Sequence, residues 1–228
     1  MIKKLFGFLA KLGLWFLAIS IISVFIFRFI PIPFTPLMIG RCVEQKVDGK
    51  EMKMHKDWVS LDKISTAMPL AVIAAEDQKF EEHFGFDIVA IKKAETYNEK
   101  HKGKKLKGAS TISQQTAKNV FLWQSRSWVR KGFEVYFTFL IEFIWSKQRI
   151  MEVYLNVIEM GDGIYGVEAA AHDYFDKPAS KLSVRESALI AAILPNPLKW
   201  SPVHPSERIN RKANRIMHFI SRLKLEDF

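Results

Sequence analysis

Residues 12–27, LGLWFLAISIISVFIF, form an apolar run without a single charged side chain. As a helix rising ~1.5 Å per residue this run covers about 24 Å. Leu5–Ala10 before it and Phe29–Ile30 after it make up the length that a ~30 Å hydrocarbon core requires. The run is apolar on all sides, which disfavours a helix packed in a soluble core. The segment FRFIPIPFTPL that follows has no small-x-small pattern of the kind that marks a cleaved signal. The expectation is a retained membrane anchor. Lys11 and Arg28 flank it and can snorkel to the two interfaces. The basic residues ahead of the span favour a cytoplasmic N-terminus, leaving the rest of the chain outside the cytoplasm. Pro31, Pro33 and Pro36 end the helix and stiffen the exit. The expected order is a cytoplasmic N-terminus (1–11), the anchor (12–30), a membrane-proximal connector (31–59) and a globular domain (60–228).

Beyond residue 40 the apolar positions recur at helical spacing, and strand-like alternation is sparse. The domain reads as all-α, with a short hairpin expected near residues 43–60. Pro69 suits the first turn of a helix running through Ala75. Thr111-x-x-Gln114 has the form of a capping box, as does Ser183-x-x-Glu186 before an apolar helix that stops at Pro195. Ser127 is placed to cap a long helix to about Trp145, and Ser146 the next, ending at Gly161. Ile209, Ala213, Ile216, Met217 and Ile220 mark a last amphipathic helix. Residues 97–108, YNEKHKGKKLKG, are the one clear charge run. They read mainly as a solvated loop, which can at the same time be a basic flap near an anionic substrate or lipid headgroups.

Composition narrows the class. Hydrophobic residues make up 49% and aromatics 13%, enough for a sizeable core, so a largely disordered chain is excluded. The net charge is +10, and residues 1–30 contribute Lys3, Lys4, Lys11 and Arg28 with no acid. The remainder is moderately basic, which suits nucleic acid, an anionic membrane or a phosphate-bearing substrate alike. Cys42 is the only cysteine, so neither an intrachain disulfide nor a thiolate zinc cluster can form. The six histidines show no HExxH or similar metal spacing.

Four blocks could carry chemistry. In the first, the apolar stretch PLAVIAA runs directly into Glu76 and Asp77. A carboxylate at the end of a buried helix is poorly solvated, its pKa rises, and it then suits a general base near neutral pH. A solvated helix end carrying a string of charges is an equal reading. In the second, Thr111, Gln114, Gln115 and Lys118 share one helical face, fit either for sugar hydroxyls and a phosphate or for solvent. In the third, Arg130 and Lys131 stand four and three positions before Glu134. They read as a surface ion pair on a wet stripe of Arg130, Glu134, Thr138 and Glu142, opposite an apolar face of Phe133, Phe137, Leu140 and Ile144. Alternatively they are cations poised over a pyrophosphate, which arginine binds in fork geometry. The fourth, Lys147 to Asn156 with Gly161, reads mainly as scaffold through Ile150, Val153, Tyr154 and Val157.

Together these blocks resemble the peptidoglycan glycosyltransferases, the family of the transglycosylase domain of bifunctional penicillin-binding proteins. EDQKFEEHFGFD is similar to ED-x-x-F-x-x-H-x-G-x-D, and GASTISQQTAKN to G-x-S-T-I-x-Q-Q-x-x-K-N. RKGFE matches R-K-x-x-E, KQRIMEVYLN with Gly161 matches the fourth motif, and LIAAILPNP resembles the fifth. The resemblance covers about residues 60–205, in the family's order. The ordered set is far more specific than any one motif. Ala109, where many members have glycine, is a minor departure.

The resemblance implies a lysozyme-like helical fold, and lipid II and the growing lipid-linked glycan as substrates. It implies attack by a sugar 4-hydroxyl on an anomeric carbon, with inversion and loss of the polyprenyl pyrophosphate. Carried over residue by residue, it makes Glu76 the base and Glu134 the second catalytic glutamate, near the donor pyrophosphate. Lys118, Arg130 and Lys131 would stabilise the leaving group. Asp77, Phe80, His83, Ser110, Thr111, Gln115 and Asn119 would complete the substrate contacts. No cofactor is required, although a divalent cation, magnesium or manganese, could sit at the pyrophosphate beside Glu134. The chain stops at Phe228, and Ser60-Leu-Asp-Lys63 has no following Lys-Thr-Gly, so a transpeptidase is not expected. The setting implied is the bacterial plasma membrane, with the domain periplasmic and other cell-wall synthesis proteins as neighbours. A glycan-cleaving enzyme is the alternative, but it would not require Lys118, Arg130 and Lys131. Nucleic acid is not an expected partner, because the basic residues sit beside glutamates rather than in an aromatic-interleaved stripe.

Overall fold

The computed structural model describes residues 2–101, 107–125 and 127–222. Among these residues are ten α-helices and one small sheet. The helices are α1 (Ile2–Phe27), α2 (Pro36–Val47), α3 (Ala67–Glu76), α4 (Ile88–Lys100), α5 (Ile112–Phe121), α6 (Trp128–Ile144), α7 (Lys147–Val157), α8 (Val167–Phe175), α9 (Val184–Ile193) and α10 (Glu207–Ile220). The strands are β1 (His55–Lys56), β2 (Glu159–Gly161) and β3 (Ile164–Tyr165), in spatial order β1-β3-β2. The mainly helical class expected from the spacing is what forms. The middle of the basic run, residues 102–106, lies outside the described residues.

Helix α1 is apolar and long enough over Lys3–Phe27 to cross a membrane. Most of its large side chains are exposed, Phe6, Trp15 and Ile19 among them, while Ser20 and Val24 are buried. Those two meet the domain. Ser20 Oγ lies 2.7 Å from the Tyr136 hydroxyl, and Trp145 Nε1 donates to the Val24 carbonyl at 2.7 Å. Phe16 packs on Phe133, Tyr136 and Phe137. Rising numbers on α1 thus meet rising numbers on α6, so the two helices run parallel, side by side.

The core lies between two groups of helices. α3 packs on α9 and α10, and α5 packs on α6 and α7. Every residue of α3 from Ala67 to Ala74 is buried, which explains its lack of a polar face. Ser127 and Ser146 cap α6 and α7, and both expected capping boxes close, at Thr111–Gln114 and Ser183–Glu186. Ile32, Leu37 and Met38 join the same core.

Three expectations are corrected. No hairpin forms over residues 43–60. Pro36 starts α2, with Thr35 as its cap, and β1 pairs in parallel with the distant β3. Helix α7 ends at Val157, not Gly161. Asn156 turns its side chain to both backbone groups of Val59, at 2.8 Å each, and the chain then becomes β2. Finally, the polar stripe of α6 is not wet. Glu134, Thr138 and Glu142 are buried, while Val135, Phe139 and Phe143 are exposed. α6 therefore turns this polar stripe inward together with Phe137 and Ile141, and leaves an exposed apolar flank of Val135, Phe139 and Phe143.

Candidate active site

Glu76 is the last residue of α3 and the first polar side chain after its buried stretch. Its carboxyl accepts a hydrogen bond from Gln115 Nε2 at 3.1 Å. Lys212 Nζ stands 3.9 Å from the other oxygen. Burial raises the pKa of this carboxyl. Gln115, Lys212 and Lys118 pull against that rise, and Asp77 adds to it. The net is a carboxyl held above the ordinary glutamate range, so the buried reading of Glu76 prevails over the solvated one.

The loop after Glu76 is clamped onto α5 and α6. Asp77 Oδ2 accepts the Ile112 backbone N–H at 3.0 Å, and His83 Nε2 lies 2.9 Å from Oδ1. Thr111 donates to the Gly85 carbonyl at 2.7 Å and caps α5 through the Gln114 N–H. Its hydroxyl is thus committed within the protein. Gly85 has φ +76, and a Cβ there would lie 2.7 Å from Thr138 Cγ2 and 2.9 Å from Glu142 Cγ. Glycine is required by conformation and by space together. Beneath the loop, Lys147 Nζ donates to the His83 carbonyl at 2.7 Å and to Glu142 at 2.8 Å. Ser113 also donates to Glu142. Phe80 is fully buried under Lys147, 4.6 Å from its ring centroid, so it supports the loop rather than lining open space. Ser110 is exposed just ahead of the α5 cap.

Helix α5 carries a contact toward each of the two glutamates. Gln115 touches Glu76, and Lys118, one turn further on, faces Glu134 and its cations. Lys118 has its pKa lowered by burial, then raised by Glu134, with Arg130 and Lys131 lowering it again. Glu134 is 3% exposed. Arg130 Nη1 donates to one of its oxygens at 2.5 Å, and Lys131 donates to the other. A cavity of about 390 Å³ opens here, lined by Lys118, Trp123, Gln124, Ser125 and Arg130. Among the described residues the buried Arg130 Nε, which belongs to a residue lining this cavity, has no hydrogen-bond partner, and neither have Asn119 Nδ2 on α5 and His83 Nδ1 in the loop. Fixed cations beside unfilled donors are what a phosphate-type leaving group requires.

A protein-held divalent cation does not fit this end of the groove. Glu134 is a single carboxylate with a cation on each oxygen. Among the described residues, no group of three His, Cys, Asp or Glu side chains gathers as a metal cage.

Two contributors escaped the sequence reading. Tyr154 looked like core, yet its hydroxyl reaches Gln115 Oε1 at 3.4 Å, turning the amide N–H toward Glu76. Its pKa is raised well above the usual value, first by burial and then by Glu76 and Asp77. Lys212 projects from α10 beside the buried Ile209, Ala213 and Ile216. Its only sequence signal was a cation at the margin of an apolar stripe.

A poorly solvated carboxyl and a set of fixed cations, reached from one helix, are the groups that moving a glycosyl unit off an anionic leaving group requires. The transglycosylase family model matches residues 44–221. A biosynthetic peptidoglycan transglycosylase of Bacteroides thetaiotaomicron is 53% identical over 220 residues, covering 96% of this chain and 88% of the relative. Proteins of the same name from Cronobacter sakazakii and Pseudomonas syringae pv. syringae are 50% and 46% identical, over 96% and 100% of this chain and 89% and 96% of their own lengths. The chain belongs to the transglycosylase family, and its helical domain is of the lysozyme-like class.

Proposed function

We propose that the protein is a monofunctional glycan-strand polymerase that uses lipid II. Glu76 takes the proton from the 4-hydroxyl of the incoming lipid II. That oxygen forms a bond to the anomeric carbon of the growing chain's reducing end. The bond from that carbon to the pyrophosphate oxygen breaks, with inversion, and the polyprenyl pyrophosphate leaves. Lys118, Arg130 and Lys131 meet its charge, and Glu134 keeps the last two aligned. The raised pKa of Glu76 makes it a stronger base than an exposed glutamate. His83, Ser110 and Asn119 contact substrate, while Asp77, Phe80 and Thr111 hold the loop that presents them. The chain's own cations serve the leaving group. Any magnesium or manganese would come with the pyrophosphate.

The single observation that carries this reading is the sharing of α5. Gln115 holds Glu76, and Lys118 on the same face lines one cavity with Arg130, which holds Glu134. The cation-lined cavity and the biosynthetic names of the relatives weigh against glycan cleavage.

The finer localisation belongs to the same reading. With Lys3, Lys4 and Lys11 in the first half of α1, the N-terminus is cytoplasmic and the domain faces the periplasm. Val135, Phe139 and Phe143, exposed on the outer flank of α6, rest in the outer leaflet. Other cell-wall synthesis proteins are the neighbours to expect there.

The test is polymerisation of purified lipid II by the full chain, read as glycan strands on a gel. The wild type is expected to produce strands, and Glu76→Gln to lose about 10²–10⁴ in rate. Normal polymerisation by Glu76→Gln, or release of soluble fragments from cell wall without lipid II consumption, overturns the reading.

A further inference from the structure

The anchor does not leave the domain as a loose tether. The carbonyl of Phe27, the last residue of α1, accepts from Arg149 Nε at 3.1 Å and Nη2 at 2.8 Å. Nη2 also donates to the Ile30 carbonyl at 2.5 Å. Nη1 is held by Glu152 at 2.9 Å, and the guanidinium lies 5.3 Å from the Trp58 ring centroid. Lys56, at the same distance from Trp58, donates to the Ile32 carbonyl at 2.8 Å. Trp145 holds the Val24 carbonyl one turn earlier. A helix C-terminus leaves carbonyls unmet and carries a partial negative charge. Here a guanidinium from the catalytic domain meets both needs, and its side chain is only 12% exposed.

Arg149 sits in the first turn of α7, and the same helix reaches the groove at two other points. Lys147 holds the His83 carbonyl in the catalytic loop. Tyr154 orients Gln115, which holds Glu76. From the end of the membrane helix to the base there is thus a continuous series of direct contacts along one rigid element of 11 residues.

We infer that α7 is a strut coupling the membrane anchor to the catalytic groove, and that Arg149 is the positioning residue that fixes the height and tilt of the groove relative to the bilayer. This rests on the reading of α1 as a membrane span and of lipid II as substrate. A lipid-borne substrate presents its pyrophosphate at a set depth, so a groove free to swing on its tether meets it out of register. A misplacement of ~1 Å can cost about 10²-fold in rate. A short-chain substrate free in solution has no such constraint.

The test uses the full chain in lipid vesicles with Arg149→Met, which keeps an unbranched stem and removes the donors. Lipid II in the bilayer and a short-prenyl, water-soluble lipid II analogue are the two substrates. Spin labels at Phe6→Cys and Glu207→Cys, in a Cys42→Ser background, report the distance between anchor and domain. The expected result is a loss of at least ~10-fold in kcat/KM on bilayer lipid II, under ~2-fold on the soluble analogue, and a broadened label distance. Arg149→Lys, with a single donor group, should fall between. Equal losses on both substrates, or an unbroadened distance, overturn the inference. If the wild type consumes neither substrate, the polymerase reading fails instead, and the label distance still decides whether Arg149 fixes the anchor.

Discussion

Glu76 and Gln115, 39 residues apart in the chain, meet at 3.1 Å across the contact of their two segments. The amide has one orientation available, because its oxygen faces the Tyr154 hydroxyl. It therefore donates to Glu76 and stabilises the ionised form. Gln115→Met removes that donor, so the pKa of Glu76, already raised, rises further. The base works only when ionised, so activity falls as pH drops through this pKa. The acid limb of the kcat/KM profile should lie above the ordinary glutamate range in the wild type and move to higher pH in Gln115→Met. Tyr154→Phe should shift it in the same direction by less. An acid limb that stays in place in Gln115→Met would contradict this assignment.

Stability should move opposite to activity at the same residue. The folded pKa of Glu76 lies above its unfolded value, so the folded state binds the proton more readily. Stability then falls as pH rises from the unfolded pKa through the folded one, and the full cost is present above both. Glu76→Gln removes that cost. Its Tm should exceed the wild type's at neutral pH, on the order of a few degrees, and the gain should vanish below about pH 4. Thermal melts across pH check this, and a variant less stable than the wild type at pH 7 contradicts it.

Arg130 and Lys131 both bind Glu134, yet they are not equivalent. Arg130 is the less exposed of the two and retains a buried, unpartnered Nε beside the cavity. Arg130→Lys keeps the charge and loses the fork. A fall in kcat of roughly 10–100-fold with a near-normal fold is expected, in line with the loss of one or two charge-assisted hydrogen bonds. Single-turnover rates and circular dichroism together test it.

Gly85→Ala faces a left-handed backbone and two overlapping side chains. Its cost should be about 2–4 kcal/mol, a Tm loss on the order of 10 °C. Thr138→Ser removes the nearer obstacle, Cγ2, and should restore part of that loss in the double variant. Full tolerance of Gly85→Ala would show that the loop is not pressed onto α6.

What was legible in the sequence follows from what each signal measures. Caps are local, so Thr111, Ser127, Ser146 and Ser183 marked their helices correctly. The apolar run into Glu76 left a buried and a solvated carboxyl equally open, and the fold decided for the buried one. The ordered motifs resembled a known family, and the family match bears that out. Burial direction was harder to read, because periodicity identifies faces but not what they face. The stripe of Glu134, Thr138 and Glu142 looked solvated because polar residues usually are, but Ser113 of α5 and Lys147 of α7 hold Glu142 inward, and Arg130 and Lys131 of α6 itself pair with the buried Glu134. Long-range pairings had no local trace. β1 finds β3 across most of the domain, and Lys212 reaches Glu76 only because α10 folds over α3.

The inverted character of α6 has a practical corollary for handling the protein. Trimming everything before residue 31 would remove the obvious greasy segment but leave Val135, Phe139 and Phe143 bare, and would newly uncover Phe133, Tyr136 and Phe137 where Phe16 now rests. Such a truncated domain would still seek detergent or its own kind. Stickiness here belongs to the wall of the groove as much as to its tether.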